Sequence, residues 1–183
     1  MNKVLETIKN RRSIRRYLPE PLKQGELDAI LEAGLYAPSA HNDQPWHFTV
    51  IRDRALLDRI SRLSKELMLK SDLDWMRAMG ANESFHVFHN APAVVVVAMR
   101  SNALSPLVDC SAAIENMLLA AESLDIGSCW IGLARFWFSL KDEVARLNLP
   151  AGYEPCYAVT FGYKGHRPEK ALPRRTGAVA YID

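Results

Sequence analysis

The run APAVVVVAM at residues 91–99 constrains this chain more than any other segment. Its valines follow one another with no polar residue between them, so the alternation of a half-exposed strand is missing. A strand over 93–99 with that pattern has to be covered on both faces. The run is far too short to cross a bilayer, which takes about 20 apolar residues. With 183 residues, 49% of them hydrophobic and 24% charged, the chain reads as one globular domain that buries a real core.

Other elements follow from period and punctuation. Residues 2–10 form a short amphipathic helix with Val4, Leu5 and Ile8 on one face, ended by the two prolines of YLPEPL. A second helix spans about 24–36 and presents Leu27, Ile30, Leu31, Gly34 and Leu35. WHFTVI (46–51) has a strand's composition. Asp53 caps a third helix carrying Leu56, Ile60, Leu63 and Leu67. Residues 71–90 read as helical pieces and a loop. Pro106 to Leu124 forms a helix that turns Leu107, Cys110, Ile114, Met117, Leu118, Ala121 and Leu124 inward, and its many alanines widen the buried surface. The strand SCWIGL (128–133), a helix near 138–147 and the strand PCYAVTFGY (155–163) complete the body. The strand-like tail GAVAYID (177–183) is detached from it, and a partner subunit is a reasonable place for that tail to bury.

Charge is unevenly spread. RRSIRR (11–16) packs four arginines into six positions of a chain whose net charge is only +2. Residues 1–23 balance at +5 and residues 162–176, with Lys164, Arg167, Lys170, Arg174 and Arg175, at +4, which leaves the remainder near −7. Nucleic-acid binders usually spread basic residues over a face and exceed a pI of about 9; the pI here is about 8.5. Two compact basic clusters at opposite chain ends read as two halves of one anion site. The charged N-terminus reads as mature sequence, and Cys110, Cys129 and Cys156 form no CxxC pair, so they read as buried thiols in a reducing cytoplasm.

No GxSxG elbow, P-loop, HExxH or GxGxxG is present. His86 and His89 lack a third ligand nearby, so no metal site is expected. Ser13, Ser39 and Ser111 lack a recognisable base. An enzyme of this composition needs a cofactor to carry the hard chemistry. The loop YAPSAHNDQPWHF (36–48) exposes Ser39, His41, Asn42 and Gln44, all able to hydrogen-bond a polar heterocycle, although it also reads as a well-made turn anchored by Trp46.

RRSIRRY, APSAHNDQPWHF, DCSAAIENMLLAAESLDIGSCWIG (109–132) and GYKGHRP…LPRR, in that order and spacing, resemble the FMN-dependent nitroreductase family. The resemblance implies an α+β fold, a central mixed β-sheet surrounded by helices, in an intertwined homodimer. Residues 1–183 would be a single FMN-binding domain, with 164–183 an extension over the partner subunit. FMN would lie at the dimer interface, with NADH or NADPH as electron donor. By similarity, Arg11, Arg12, Ser13 and Arg15 contact FMN phosphate, ribityl and ring edge, and Arg174 or Arg175 completes the phosphate grip. Pro38, Ser39, Ala40, Asn42 and Gln44 come from the other subunit, while Trp130, Ile131 and Gly132 lie beside the ring. Arg16 alternates away from Arg15 in extended chain and reads as solvated or ion-paired.

The function so implied is an oxidoreductase that passes hydride from NAD(P)H through flavin N5 to an electron-poor acceptor by a ping-pong mechanism. No catalytic side chain, metal, nucleic acid or membrane is called for. The alternative is a flavin-binding carrier, sensor or electron-transfer protein without NAD(P)H turnover. A third reading changes the reaction, to dehalogenation or flavin destruction, and would require polar groups from 71–90 over the ring, with Asn82, Glu83 and His86 as candidates. Two departures from the family stand out: the short mid-chain segment, and Ala40 where a serine is common.

Overall fold

The computed structural model describes residues 2–168 and 171–182. Met1, Glu169, Lys170 and Asp183, which belong to the basic clusters and the tail read above, lie outside the described residues. Four strands, β1 (Trp46–Ile51), β2 (Ala93–Arg100), β3 (Ile126–Ile131) and β4 (Tyr153–Tyr163), form one sheet in the order β1-β2-β4-β3. The valine run is β2, and it lies in the sheet interior. Val95 and Val97 face one layer with Ile30, Ile114 and Met117, and Val94 and Val96 face the other with Leu57, Ile60 and Trp137. Helices α2 (Gln24–Leu35) and α5 (Pro106–Ser123) supply the first layer. The second comes from α3 (Arg54–Met68), α4 (Asp74–Ala81) and α6 (Arg135–Phe138).

The α+β architecture is as expected, with one difference in the sheet. All three strand pairings are antiparallel, and parallel pairing is confined to a single bridge from Ser13 to Ser128 at the β3 edge. Helix α5 crosses from β2 to the β3 edge, but β4 lies between those two strands, so they run parallel without pairing; the parallel bridge at that edge is made by the extended chain after α1 (Lys3–Asn10).

Capping and close packing explain the helices. Asp53 Oδ1 accepts the N–H of Leu56 at 3.2 Å and starts α3. Pro106 opens α5, where its missing N–H costs nothing. α2 crosses α5 at Gly34, whose Cβ would stand 3.0 Å from Met117 Cγ, so glycine sets how near the two helices come.

Several expected core positions are solvated instead. Val4, Leu5 and Ile8 of α1 are all about half exposed or more. Leu35, Leu107 and Leu124 are also exposed, each at a helix end beyond the sheet's cover. The inward face of α3 is rotated from the one read, with Leu57, Ile60, Ser61, Ser64 and Met68 buried. The helix expected near 138–147 is two single turns, α6 and α7 (Lys141–Val144). They part at Ser139, whose hydroxyl donates back to Phe136 O at 2.6 Å. The tail over 177–182 forms no strand and is exposed.

Candidate functional site

Arg11 leaves α1 in extended conformation, and the chain runs from there along the ends of β3 and β4. Ile14 donates to Ser128 O at 2.8 Å, Leu18 donates to Tyr163 O at 3.0 Å, and Tyr17 bridges Lys164. Ile14 is the buried residue of the segment and plugs the space beside Gly127, where a Cβ would come within 2.9 Å of it. With Ile14 turned inward, Ser13 and Arg15 are presented on the opposite side.

That side opens on a cavity of about 250 Å3. Arg15 stands on one wall, and Cys129, Trp130, Ile131 and Gly132, the end of β3 and the turn after it, form another. A Cβ on Gly132 would meet nothing within 4 Å, so the backbone there is open to a ligand. Trp75 and Met79 of α4, with Phe85, Val87 and His89 of the following loop, close the cavity over. Burial holds the Cys129 thiol above its ordinary pKa, with Arg15, Ser13 and Arg11 pulling the other way. His89 is pushed down to about 4, by burial first and then by the Arg15 and His86 charges, so it is neutral near pH 7.

The remaining arginines are arranged differently. Arg12 turns back on α1, and its guanidinium donates to Lys9 O at 2.6 Å and Arg11 O at 2.7 Å. Its buried Nε has no partner. Arg11 pairs with Glu115 at 3.9 Å, too loosely to occupy it. Arg16 is exposed, as expected. A second cavity brings Arg12 together with Lys164 and Arg167 from the C-terminal cluster. Those two cations are already matched: Lys164 Nζ lies 2.9 Å from Glu122 and 3.2 Å from Asp125, and Arg167 pairs with Asp125. The two basic clusters therefore do meet, but through Lys164 and Arg167. Arg174 and Arg175 are exposed, and Arg174 donates within its own turn, to Leu172 O at 3.1 Å.

The Pro38–Gln44 loop is a separate construction. Its Ala40 N–H lies 3.3 Å from both Asp109 oxygens at the start of α5, and Asp43 pairs with Arg100 at the end of β2. Gln44 N–H donates to Ser39 Oγ, and Gln44 Nε2 donates to Asn42. His41, Asn42 and Gln44 all sit at positive φ, between 46° and 57°. Three non-glycine residues so held cost on the order of 1 kcal/mol each or more, a pattern concentrated at ligand-binding loops. The ties of this loop run to Asp109 and Arg100, and the cavities around the arginines are lined without Pro38, Ser39, Ala40, Asn42 or Gln44.

The residues read from 71–90 as candidates over the ring face elsewhere. His86 lies 3.2 Å from Asp58 and, with Glu83, lines a groove between α3 and α4; Asn82 accepts from Ser84. The cavity takes Phe85, Val87 and His89 instead, three residues at a spacing of two. That alternation was readable in SFHVFHN, where the intervening Phe88 is a core residue.

The sequence pattern of the Nitroreductase family matches residues 8–163. A protein of Archaeoglobus fulgidus named NADH dehydrogenase/NAD(P)H nitroreductase is 35% identical over 172 residues, which span 89% of this chain and 86% of that one. A Bacillus subtilis protein named FMN reductase (NAD(P)H) is 30% identical over 178 residues, 93% of this chain and 69% of that one. The crystal structure of a Bacteroides fragilis nitroreductase with bound FMN superposes with a TM-score of 0.90 at 34% identity, covering both chains in full. The matched segment runs from the end of α1 to the end of β4 and so contains both the arginine segment and the β3 turn that face each other across the cavity; this chain belongs to the nitroreductase family.

Proposed function

We propose that this protein is an FMN-dependent NAD(P)H oxidoreductase whose flavin is held between the Arg11–Arg15 segment and the turn at Trp130–Gly132. The observation that carries the reading is the cavity itself, in which one cation, Arg15, faces an open glycine backbone and flat apolar side chains. The residues fit the group. Flavin presents an aromatic ring with a polar edge and ends in a phosphate monoester of nearly two negative charges. Arg12 Nε is a buried donor still lacking an acceptor, and Arg11 is only loosely paired.

FMN, when bound, supplies the redox chemistry, taking hydride from NADH or NADPH and passing it to an electron-poor acceptor such as a nitroaromatic, quinone or enone in two half-reactions at one face. Everything else falls to the chain. Arg11, Arg12 and Ser13 hold the phosphate and ribityl end, and Arg15 holds the ring edge. Trp75 and Phe85 exclude water from the cavity. His89 stays uncharged above its lowered pKa and so does not compete with Arg15 for an anionic edge.

The site is completed by a second copy of the chain. Val4, Leu5 and Ile8 of α1 are solvated in the protomer, as are Leu107 and Val108 of α5 and Val179, Tyr181 and Ile182 of the tail. A homodimer would cover these faces, give the tail an edge to lie on, and bring the rigid Pro38–Gln44 loop of one protomer to the arginines of the other. Arg174 and Arg175, loose in the protomer, would be fixed by the same association.

The test is the visible spectrum of the purified protein before and after anaerobic addition of NADH or NADPH. The reading predicts a yellow protein that releases FMN and bleaches with one of the two donors. A yellow protein that neither donor reduces would favour a flavin carrier or sensor. A colourless protein that FMN does not reconstitute would sink the proposal.

A further inference from the structure

Cys110 and Cys156 meet in the layer between α5 and the sheet, on the opposite face from the Cys129 thiol. The ladder between β2 and β4 slips at this point. Val97 faces Tyr157 while Ala98 faces Pro155, which leaves Cys156 as the extra residue of a β-bulge. A bulge re-aims the side chain it carries. Cys156 and its neighbour Tyr157 both pack into the layer beneath α5, where the Cys156 and Cys110 thiols reach the carbonyls of successive β2 residues, Val97 O at 3.2 Å and Ala98 O at 3.9 Å. Cys110 is fully buried, and Cys156 is partly open to solvent.

The two sulfurs are not equivalent. In the resting pair Cys156 S–H reaches Val97 O at 3.2 Å, and Cys110 S–H points at Ala98 O from 3.9 Å. The Cys110 S–H and the backbone N–H groups of Tyr157 and Cys156 favour the ionised form of Cys156. These donors hold Cys156 below the ordinary thiol range, against burial and the nearby Glu154 charge. Donation to Cys156, burial and the Asp109 charge push Cys110 the other way. A thiol that ionises readily, partly accessible and packed in the same layer as a second thiol, is the arrangement of a redox-responsive cysteine pair.

We propose that Cys156 and Cys110 form a peroxide-responsive thiol pair, in which Cys156 attacks and Cys110 resolves. The Cys156 sulfur displaces one oxygen of hydrogen peroxide, breaking the O–O bond, so that Cys156 becomes a sulfenic acid and one water leaves. The Cys110 sulfur then attacks Cys156, the S–S bond forms, the S–O bond breaks and a second water leaves. Two thiols lose two electrons and two protons, and the peroxide is reduced to water. The bond ties α5 to β4 beside Tyr157, whose ring packs edge-on against Trp130 at 4.9 Å, so oxidation is registered at the wall of the cavity. The pair stands on the protein's own thiols and does not depend on which cofactor the cavity holds.

The experiment treats the full-length protein, as purified with whatever cofactor it carries, with hydrogen peroxide. The remaining thiols are then alkylated under denaturing conditions, and the peptides are mapped by mass spectrometry. Two of the three cysteines should become unreactive, joined as a Cys110–Cys156 disulfide that dithiothreitol reverses, with Cys129 still alkylated. In Cys110→Ser, peroxide should leave a sulfenic acid on Cys156 that dimedone traps. In Cys156→Ser, Cys110 should stay reduced. Three alkylated cysteines after treatment of the unsubstituted protein would overturn the proposal without recourse to any variant. A disulfide to Cys129, or a Cys110 that oxidises as readily without Cys156, would overturn it equally.

Discussion

The hydroxyl of Tyr17 lies 2.7 Å from Thr160 Oγ1 and fastens the arginine segment to the sheet. The same hydroxyl donates to Ile14 O at 2.7 Å, and Thr160 in turn reaches Cys129 O at 3.2 Å. Burial drives the phenol pKa well up, so Tyr17 remains a neutral hydrogen-bonding group at any working pH. The ring also lies against β4 where Gly162 leaves it room; a Cβ there would stand 2.9 Å from Tyr17 Cδ1 and 2.6 Å from Pro92 Cδ. Arg15, two residues before Tyr17, therefore takes its position from a polar chain running through Thr160 to the strand that forms the far wall.

Tyr17→Phe keeps the ring and removes the hydroxyl. It should cost about 1–2 kcal/mol of stability, read as a lower urea midpoint at an unchanged slope. A midpoint equal to that of the unsubstituted protein would mean that this tie carries no net stability in solution.

Replacing Arg11 and Arg15 together with alanine should leave a folded protein that binds FMN far more weakly. Charge-assisted hydrogen bonds are worth roughly 1.5–3 kcal/mol each, so the loss should exceed about tenfold per arginine. The Arg11–Glu115 contact at 3.9 Å is partly exposed and contributes little to folding. Fluorescence titration of the apoprotein with FMN is the measurement, and a double variant that purifies with full flavin occupancy would refute the assigned grip.

His89 gives the stability a definite pH dependence. Its folded pKa of about 4 lies below its unfolded value of 6.5, so between these limits the unfolded chain binds more protons. Stability should therefore fall as pH drops from about 6.5 to 4 and lose no more from this residue below that. His86, also lowered chiefly by burial, adds to the same slope. His89→Asn, which suits the positive φ of 52° at this position, should flatten the slope without abolishing it. Thermal unfolding followed across this window decides the matter, and parallel curves for the two proteins would count against a buried neutral His89.

Much of the fold was legible because it rests on local pattern. The unbroken valines required a strand covered on both sides, and β2 is that strand. Asp53 and Pro106 announced two helix starts, and the four motifs in register pointed to the family that residues 8–163 match. Where the reading failed, the deciding contact was not local. α1 has an apolar face left solvated among the described residues, and the α3 stripe was misread in part because Ser61 is buried where it accepts the Val87 N–H, a bond that composition does not announce.

The sequence by itself determined that this chain must bury β2 on both faces and carry a dense cation cluster ahead of its first proline, because the period of apolar residues and the order of charges are written along the chain. Only the tertiary structure decided what those cations meet. Arg15 came to face Trp130 and Gly132 because Ser13 and Ile14 pair with Ser128, more than a hundred residues away. Lys164 and Arg167 were drawn off by Glu122 and Asp125. Phe85 and His89, rather than His86, reached the cavity because His86 settled against Asp58. Charge and hydropathy are properties of single residues, whereas a binding site is a set of distances, and distances between remote residues exist only once the sheet has closed.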